Sequence, residues 1–198
     1  MCPPLRFDSS ADPTDEQLMN AVAEGDIPAY EQLVDRHLRS VFRLCNRLLG
    51  DRHEAEDLTQ ESFARLWQSA PNWRPIGGGV PAWLHRVATN LCFDRLRRQR
   101  EITVDILPEQ TDQSPCAVKR LEAHQLEEGL QTCLARLPDR HRAALLLSYY
   151  EGYSNLLAAQ IMDMNIKAFE SLLLRARRRM SQELRQAGIW SEDLEALT

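Results

Sequence analysis

The chain has 198 residues, 43% hydrophobic and 27% charged, with a net charge of −5. That composition suits a soluble globular protein of one or two domains. It holds no apolar run long enough to span a bilayer and no charged-then-apolar signal pattern. The five cysteines are scattered without a CxxC pair, which argues against a disulfide frame or zinc site and for a reducing cytoplasm. The charge is unevenly laid out. Residues 82–100 hold five Arg and one Asp, residues 165–185 hold six Lys or Arg and two Glu, and the acids gather elsewhere. Two basic patches on an acidic body suggest two contacts with nucleic acid and a separate surface for another partner.

In chain order, residues 1–13 are non-periodic and predict a mobile tail. A helix starts at Thr14 or Asp15, with Leu18, Ala21 and Val22 inward. A long helix over 27–49 turns Tyr30, Leu33, Val34, Leu38, Val41, Leu44, Cys45 and Leu48 inward and stops at Gly50. A third, over 51–67, has Glu54, Asp57, Gln60, Glu61 and Arg65 on its polar face. The five histidines of the chain show no ligand spacing among themselves. The carboxylates read as an acidic helix start or as a docking face for a basic partner, not as an acid–base or metal site.

Residues 69–81 carry Pro71, Pro75, Gly77, Gly78, Gly79 and Pro81 and predict a loop. Without a preceding strand or a following Lys-Ser/Thr it is not a nucleotide-binding loop. The helix over 82–100 turns Leu84, Val87, Ala88 and Leu91 inward and Arg86, Thr89, Asn90, Phe93 and Arg97 outward. Cations, an amide and an aromatic on one face suit a single strand, whose bases stack and whose phosphates need neutralising. Residues 101–119 are rich in Pro, Asp and Gln and predict a flexible linker. Helices are expected over 120–137 and 138–150, the second opened by Pro138 and stopped by Gly152. Residues 188–198 form an acidic tail.

Residues 154–184 carry the strongest local signal. Two helices meet at a tight break over 162–165, and Asn165 is an N-cap for the second. Ile166, Phe169, Leu173, Ala176 and Met180 recur every three or four residues and form an inner face. Lys167, Ser171, Leu174, Arg175 and Arg178 form the outer one, with Glu170 and Arg179 beside them. Cations for phosphates and guanine edges, a hydroxyl for any base and an apolar group for a thymine methyl equip this face for a major groove. Helix, turn and basic second helix are the helix-turn-helix pattern. No strand pattern appears, so the expected fold is all-α: two small helical domains joined by the linker, the C-terminal one containing the helix-turn-helix. No catalytic residues are expected, because no Ser/His/Asp or Cys/His arrangement has a supporting motif. No metal or cofactor is expected either; Cys133 and His141 read as a buried Cys and a surface His.

Four stretches in this order resemble an extracytoplasmic-function (ECF) sigma factor of the sigma-70 family, over about residues 14–184. DRHEAEDLTQESFARLW (51–67) is similar to sigma region 2.2, and WLHRVATNLCFDRLRRQR (83–100) to regions 2.3 and 2.4. LPDRHRAALLLSYYEGYSN (137–155) is similar to the start of region 4, and KAFESLLLRARRRM (167–180) to its recognition helix. The resemblance implies a cytoplasmic transcription initiation factor without catalytic activity. Region 2 would occupy residues 14–100 and bind core RNA polymerase and the −10 element. Region 4 would occupy 120–187 and bind the −35 element. Asp57, Gln60 and Glu61 would meet the basic β′ clamp helices, and region 4 would meet the β flap. Trp73, Arg86, Thr89, Asn90 and Arg97 would serve the −10 element, and the loop before Trp83 would help hold a flipped-out base. Lys167, Glu170, Ser171, Leu174, Arg175, Arg178 and Arg179 would serve the −35 element. The partners implied are core polymerase, promoter DNA and an anti-sigma factor, with no membrane insertion.

The chain departs from the family pattern at Val80, where an aromatic is common, and at His85, where Tyr is common. Asp163 replaces the usual turn Gly, and Leu156-Leu157-Ala158 replaces a small–acidic–Ile order, moving an apolar group toward the surface. Two other function classes fit parts of the pattern: a helix-turn-helix regulator that is not a sigma factor, and a sigma-like decoy that binds protein only.

Overall fold

The computed structural model describes residues 12–74, 77–104 and 121–189. The tails, and the linker beyond Val104, lie outside them. The described residues fold into eight α-helices and no strand: α1 (Asp15–Ala23), α2 (Ile27–Leu49), α3 (Arg52–Ser69), α4 (Gly79–Val104), α5 (Leu121–Ala135), α6 (Asp139–Leu145), α7 (Asn155–Ile161) and α8 (Ile166–Gln186).

The caps explain the boundaries. The Thr14 hydroxyl accepts from the Gln17 N–H while the Gln17 amide accepts from the Thr14 N–H, a closed capping box. Asp26, Asp51, Ser154 and Asn165 each accept one orphan N–H at the start of α2, α3, α7 and α8. Gly50 ends α2 in the left-handed conformation at φ 71°, which costs glycine nothing. The 69–81 loop is shorter than predicted. A turn of 3₁₀ helix follows α3, and α4 begins at Gly79, so that Val80 and Pro81 are helical. Pro81 is tolerated because first-turn N–H groups have no intrahelical partner to lose. The 138–150 segment also differs. Pro138 caps α6 rather than opening it, and the helix widens to π geometry over Leu146–Tyr150.

Helices α1–α4 pack around one core, with α2 against α1, α3 and α4. Asp15 ties α1 to α2 by bonding Arg36 at 2.9 Å and His37 at 2.7 Å. Helices α5–α8 form a second bundle, with α8 against α5, α6 and α7, and its buried residues are continuous with those of the first. Phe169 is fully buried there, among Leu146, Leu147, Ile161 and Leu173. The two bundles touch: α4 meets α7 and α6, and α2 meets α5 and α6. Buried Arg142 on α6 reaches across to donate to the Leu48 carbonyl at the end of α2, and also donates to the carbonyls of Ala135 and Leu137. It satisfies acceptors of two helix ends that face inward.

Candidate nucleic-acid interface

Three groups of side chains carry the chemistry. The first lies on α8. The Asn165 side chain accepts from the Ala168 N–H at 2.8 Å, and Asp163 makes the sharp turn before it at φ 52°. Asp adopts that conformation more readily than most residues, at some cost. Phe169, Leu172, Leu173 and Ala176 are buried, while Lys167, Glu170, Ser171, Leu174, Arg175, Arg178 and Arg179 are all exposed. Ile166 is a correction: it is 39% exposed, because the first helical residue precedes the point where α8 meets the core. The cations differ in freedom. Arg175 Nε folds back to the Ser171 carbonyl at 3.1 Å. Arg177 lies over the Tyr149 ring. Arg179 bonds Glu183 at 3.1 Å, and Glu183 is itself buried. Arg179 therefore neutralises a buried carboxylate.

The second group lies on and before α4. Arg86, Asn90 and Arg97 share one face at helical spacing, with Asn90 and Arg97 exposed and Arg86 half-exposed. Arg97 bonds Asp94 on the same helix at 3.2 Å. Thr89 contradicts its outward assignment. It is fully buried, its hydroxyl without a partner among the described residues. The reason is that α4 is covered on more than one side. Its buried stripe widens from Leu84, Ala88 and Leu91 to take in His85, Thr89 and Cys92. Trp73 stands apart. It is half-buried against the core, and the 3₁₀ turn it follows packs on α1 and α3 rather than on α4. Arg95 leaves the basic set altogether, because it pairs with Glu54 and so locks α4 to α3.

The third group lies on α3, where Asp57, Gln60 and Glu61 are exposed together. The Asp51 cap and the buried Ala55, Leu58, Ser62, Phe63 and Leu66 hold this helix with its acids outward. Glu61 bonds Arg65 one turn on at 2.9 Å. Among the described residues, no group of three His, Cys, Asp or Glu could hold a metal ion. No helix of these residues is long and apolar enough to cross a membrane.

A set of residues that the sequence did not bring together joins the two bundles. His85 is buried, with Nε2 2.8 Å from the Ser40 hydroxyl and Nδ1 2.7 Å from the Tyr153 hydroxyl. The Ser40 hydroxyl donates to Glu151 at 2.9 Å. One assignment satisfies every atom: Nε2 carries the proton and donates to Ser40, while the bare Nδ1 accepts from Tyr153. His85 must then be neutral. Glu151, 3.7 Å from Nε2, favours its protonation. Burial outweighs this, helped by His37 and Arg43 on α2, and lowers the His85 pKa from 6.5 to about 4. A depressed folded-state pKa gives stability that is complete above pH 6.5 and is lost as the pH falls toward 4. Its full loss amounts to about 3 kcal/mol. We expect the His85 ring signals in a nuclear magnetic resonance titration to stay constant down to about pH 5. A midpoint near 6.5 would show that the ring is solvated and the network open.

Comparison with known proteins agrees with this layout. The family model "Sigma-70 region 2" matches residues 33–102, and "Sigma-70, region 4" matches residues 127–180. The ECF RNA polymerase sigma factor SigE of Mycolicibacterium smegmatis is 41% identical over 152 residues, which span 72% of this chain and 58% of that relative. SigM of Mycobacterium tuberculosis, also an ECF sigma factor, is 30% identical over 183 residues, 92% of this chain and 91% of that one. Two solved structures share the fold. CnrH in complex with the cytosolic domain of CnrY has a TM-score of 0.65 at 24% identity, covering 87% of this chain and 97% of that one. The sigma factor RpoE of Bartonella quintana, in complex with the anti-sigma factor NepR, has a TM-score of 0.65 at 22% identity, covering 80% and 98%. Both region models match in order, together over more than half the chain, and a relative at 30% identity aligns over nearly its whole length. The chain therefore belongs to the ECF sigma factors of the sigma-70 family, a family of transcription initiation factors rather than enzymes.

Proposed function

We propose that this sigma factor binds core RNA polymerase through α3, reads the −10 element with α4 and the −35 element with α8, and helps melt the −10 region. The observation that carries the reading is α8. A capped helix keeps one face in a core and sets Lys167, Ser171, Leu174, Arg175 and Arg178 in solvent on the other. Region 2 would span residues 14–100, overlapping the matched 33–102, and region 4 residues 120–187, around the matched 127–180. Asp57, Gln60 and Glu61 would dock on the β′ clamp helices, and the α5–α8 bundle would dock on the β flap. Arg86, Asn90 and Arg97 remain candidates for the −10 strand, and Trp73 would stack only if its turn opened. Thr89 is left out because it is buried. A protein that works on polymerase and promoter belongs in the cytoplasm. Two structural neighbours are bound to CnrY and to the anti-sigma factor NepR, which supports an anti-sigma partner here as well.

Asn90 tests the melting role. Its amide is exposed on the α4 face and can pair with an unstacked base edge. Asn90→Ala should lower open-complex formation about tenfold, in line with roughly 1–3 kcal/mol for a good base contact, and leave core binding unchanged. Permanganate footprinting of the −10 region reads this directly. Normal melting with the variant would remove Asn90 from the site.

A further inference from the structure

A cleft of about 660 Å³ opens where the end of α4, the α5–α6 turn and the C-terminal half of α8 come together. Arg100 enters from α4, Arg136 from the turn, His141 and Arg142 from α6, and Arg179 from α8. Ala135, Leu137, Pro138 and Asp139 complete the walls. The volume is that of a small-ligand site. The cleft is remote from the groove-facing end of α8. Arg179 lies twelve residues beyond Lys167, roughly 18 Å along a helix that rises about 1.5 Å per residue.

Positive charge is in excess here. Arg100 pairs with Asp139, and Arg136 and Arg179 share the buried Glu183 at 3.7 Å and 3.1 Å. Four arginines less these two carboxylates leave two positive charges. Arg142 is only 7% exposed, and its terminal nitrogens donate to the carbonyls of Leu48, Ala135 and Leu137. Asp139, already paired with Arg100, stands 3.7 Å from it. Among the described residues neither Nε of Arg142 nor Nδ1 of His141 has a hydrogen-bond partner. Burial, and then the Arg100 cation, hold the Arg142 pKa below its usual value. Burial, and then Arg175 and Arg179, lower that of His141. A buried cation whose charge no carboxylate fully meets, beside an idle ring nitrogen, is a costly arrangement that an anion in the cleft would relieve.

We propose that this cleft binds the polyphosphate of a nucleotide. Guanidinium forks match phosphate oxygens two at a time, better than an ammonium would. Arg100, Arg136 and Arg179 are each more than half exposed, so all three can turn toward a chain of phosphates. Ala135 and Pro138 are exposed on the cleft wall and offer apolar surface to the nucleoside, which a bare phosphate chain would leave unused. The site needs neither promoter nor polymerase, so it stands or falls apart from the initiation reading.

The test is equilibrium dialysis of the full chain with radiolabelled ATP, without added magnesium so that the phosphates keep their charge, with unlabelled pyrophosphate as competitor. Arg100→Gln and Arg136→Gln each remove one exposed cation of the cleft. Arg98→Gln removes an exposed cation of α4 outside it. Circular dichroism checks that all three stay helical. We expect saturable binding of one ATP per chain, with pyrophosphate competing about tenfold more weakly. Arg100→Gln and Arg136→Gln should each weaken ATP binding about tenfold, as loss of one charge-assisted contact does, and Arg98→Gln should leave it within about twofold. No saturable ATP binding, or binding that neither cleft variant weakens, would overturn the proposal. An equal loss with Arg98→Gln would show attraction to the basic surface at large and overturn it too. Pyrophosphate as tight as ATP would overturn the assignment to a nucleotide.

Discussion

Reversing both Asp57 and Glu61 to Lys is expected to weaken binding to core polymerase about a hundredfold or more while leaving the protein folded. Both carboxylates are exposed on α3, so neither supports the core. Among the described residues the substitution breaks only the Glu61–Arg65 pair and sets a second cation one turn before Arg65, a change of about 0.5 kcal/mol in either sense for an exposed helical pair. At an interface the balance differs. Each charge-assisted contact with a basic partner contributes about 1–3 kcal/mol, and reversal replaces attraction by repulsion. Titration of labelled protein with core polymerase measures the loss, and circular dichroism verifies the fold. Unchanged affinity would show that α3 is not the docking helix.

The second large effect separates reading from holding on α8. Ser171→Ala and Arg175→Ala should change which −35 bases are preferred, at about 1–3 kcal/mol at the cognate site for a bidentate contact. Arg178→Ala should instead weaken binding to a similar degree at every promoter and flatten its salt dependence, as loss of a phosphate contact does. Arg179 serves poorly as a second phosphate probe. Its guanidinium bonds the buried Glu183, so Arg179→Ala would also strip a buried carboxylate of its nearer cation and leave it facing Arg136 at 3.7 Å. In the free protein Arg175 is folded onto the Ser171 carbonyl and must swing outward to reach a base. Transcription of a randomised −35 library by wild-type and variant holoenzymes distinguishes the two classes. Unchanged base preferences for both Ser171→Ala and Arg175→Ala would mean that this face does not read sequence.

The parts of the site legible in the sequence are those governed by one helix at a time. The Asn165 cap, the buried Phe169 and Leu173, and the exposed Lys167, Ser171 and Arg175 follow from a short side-chain acceptor and a period of about 3.6 residues. The acidic face of α3 was legible for the same reason. Errors arise where a second element decides. Thr89 lies outward if α4 has one partner layer and inward when it has several. Leu38, assigned to the α2 core face, is 42% exposed because it falls at the edge of the stripe that Leu33, Val41, Leu44 and Leu48 bury. The interface between the bundles was not legible as a contact, since no local period records which two surfaces meet. Its trace in the sequence was indirect: His85, Leu157 and Asp163 each looked out of place alone, and all three find partners across that interface.

The most direct test is transcription from defined components. Purified protein, core polymerase lacking any other sigma factor, and a pool of templates with randomised −35 and −10 segments are combined, and transcript starts are sequenced. Transcripts are expected only when protein and core are both present, from templates that share one −35 and one −10 sequence at fixed spacing. Tight binding to core with no transcripts would identify a decoy. Binding to duplex DNA with no effect on core would identify an ordinary helix-turn-helix regulator. Either result would contradict the assignment as an initiation factor.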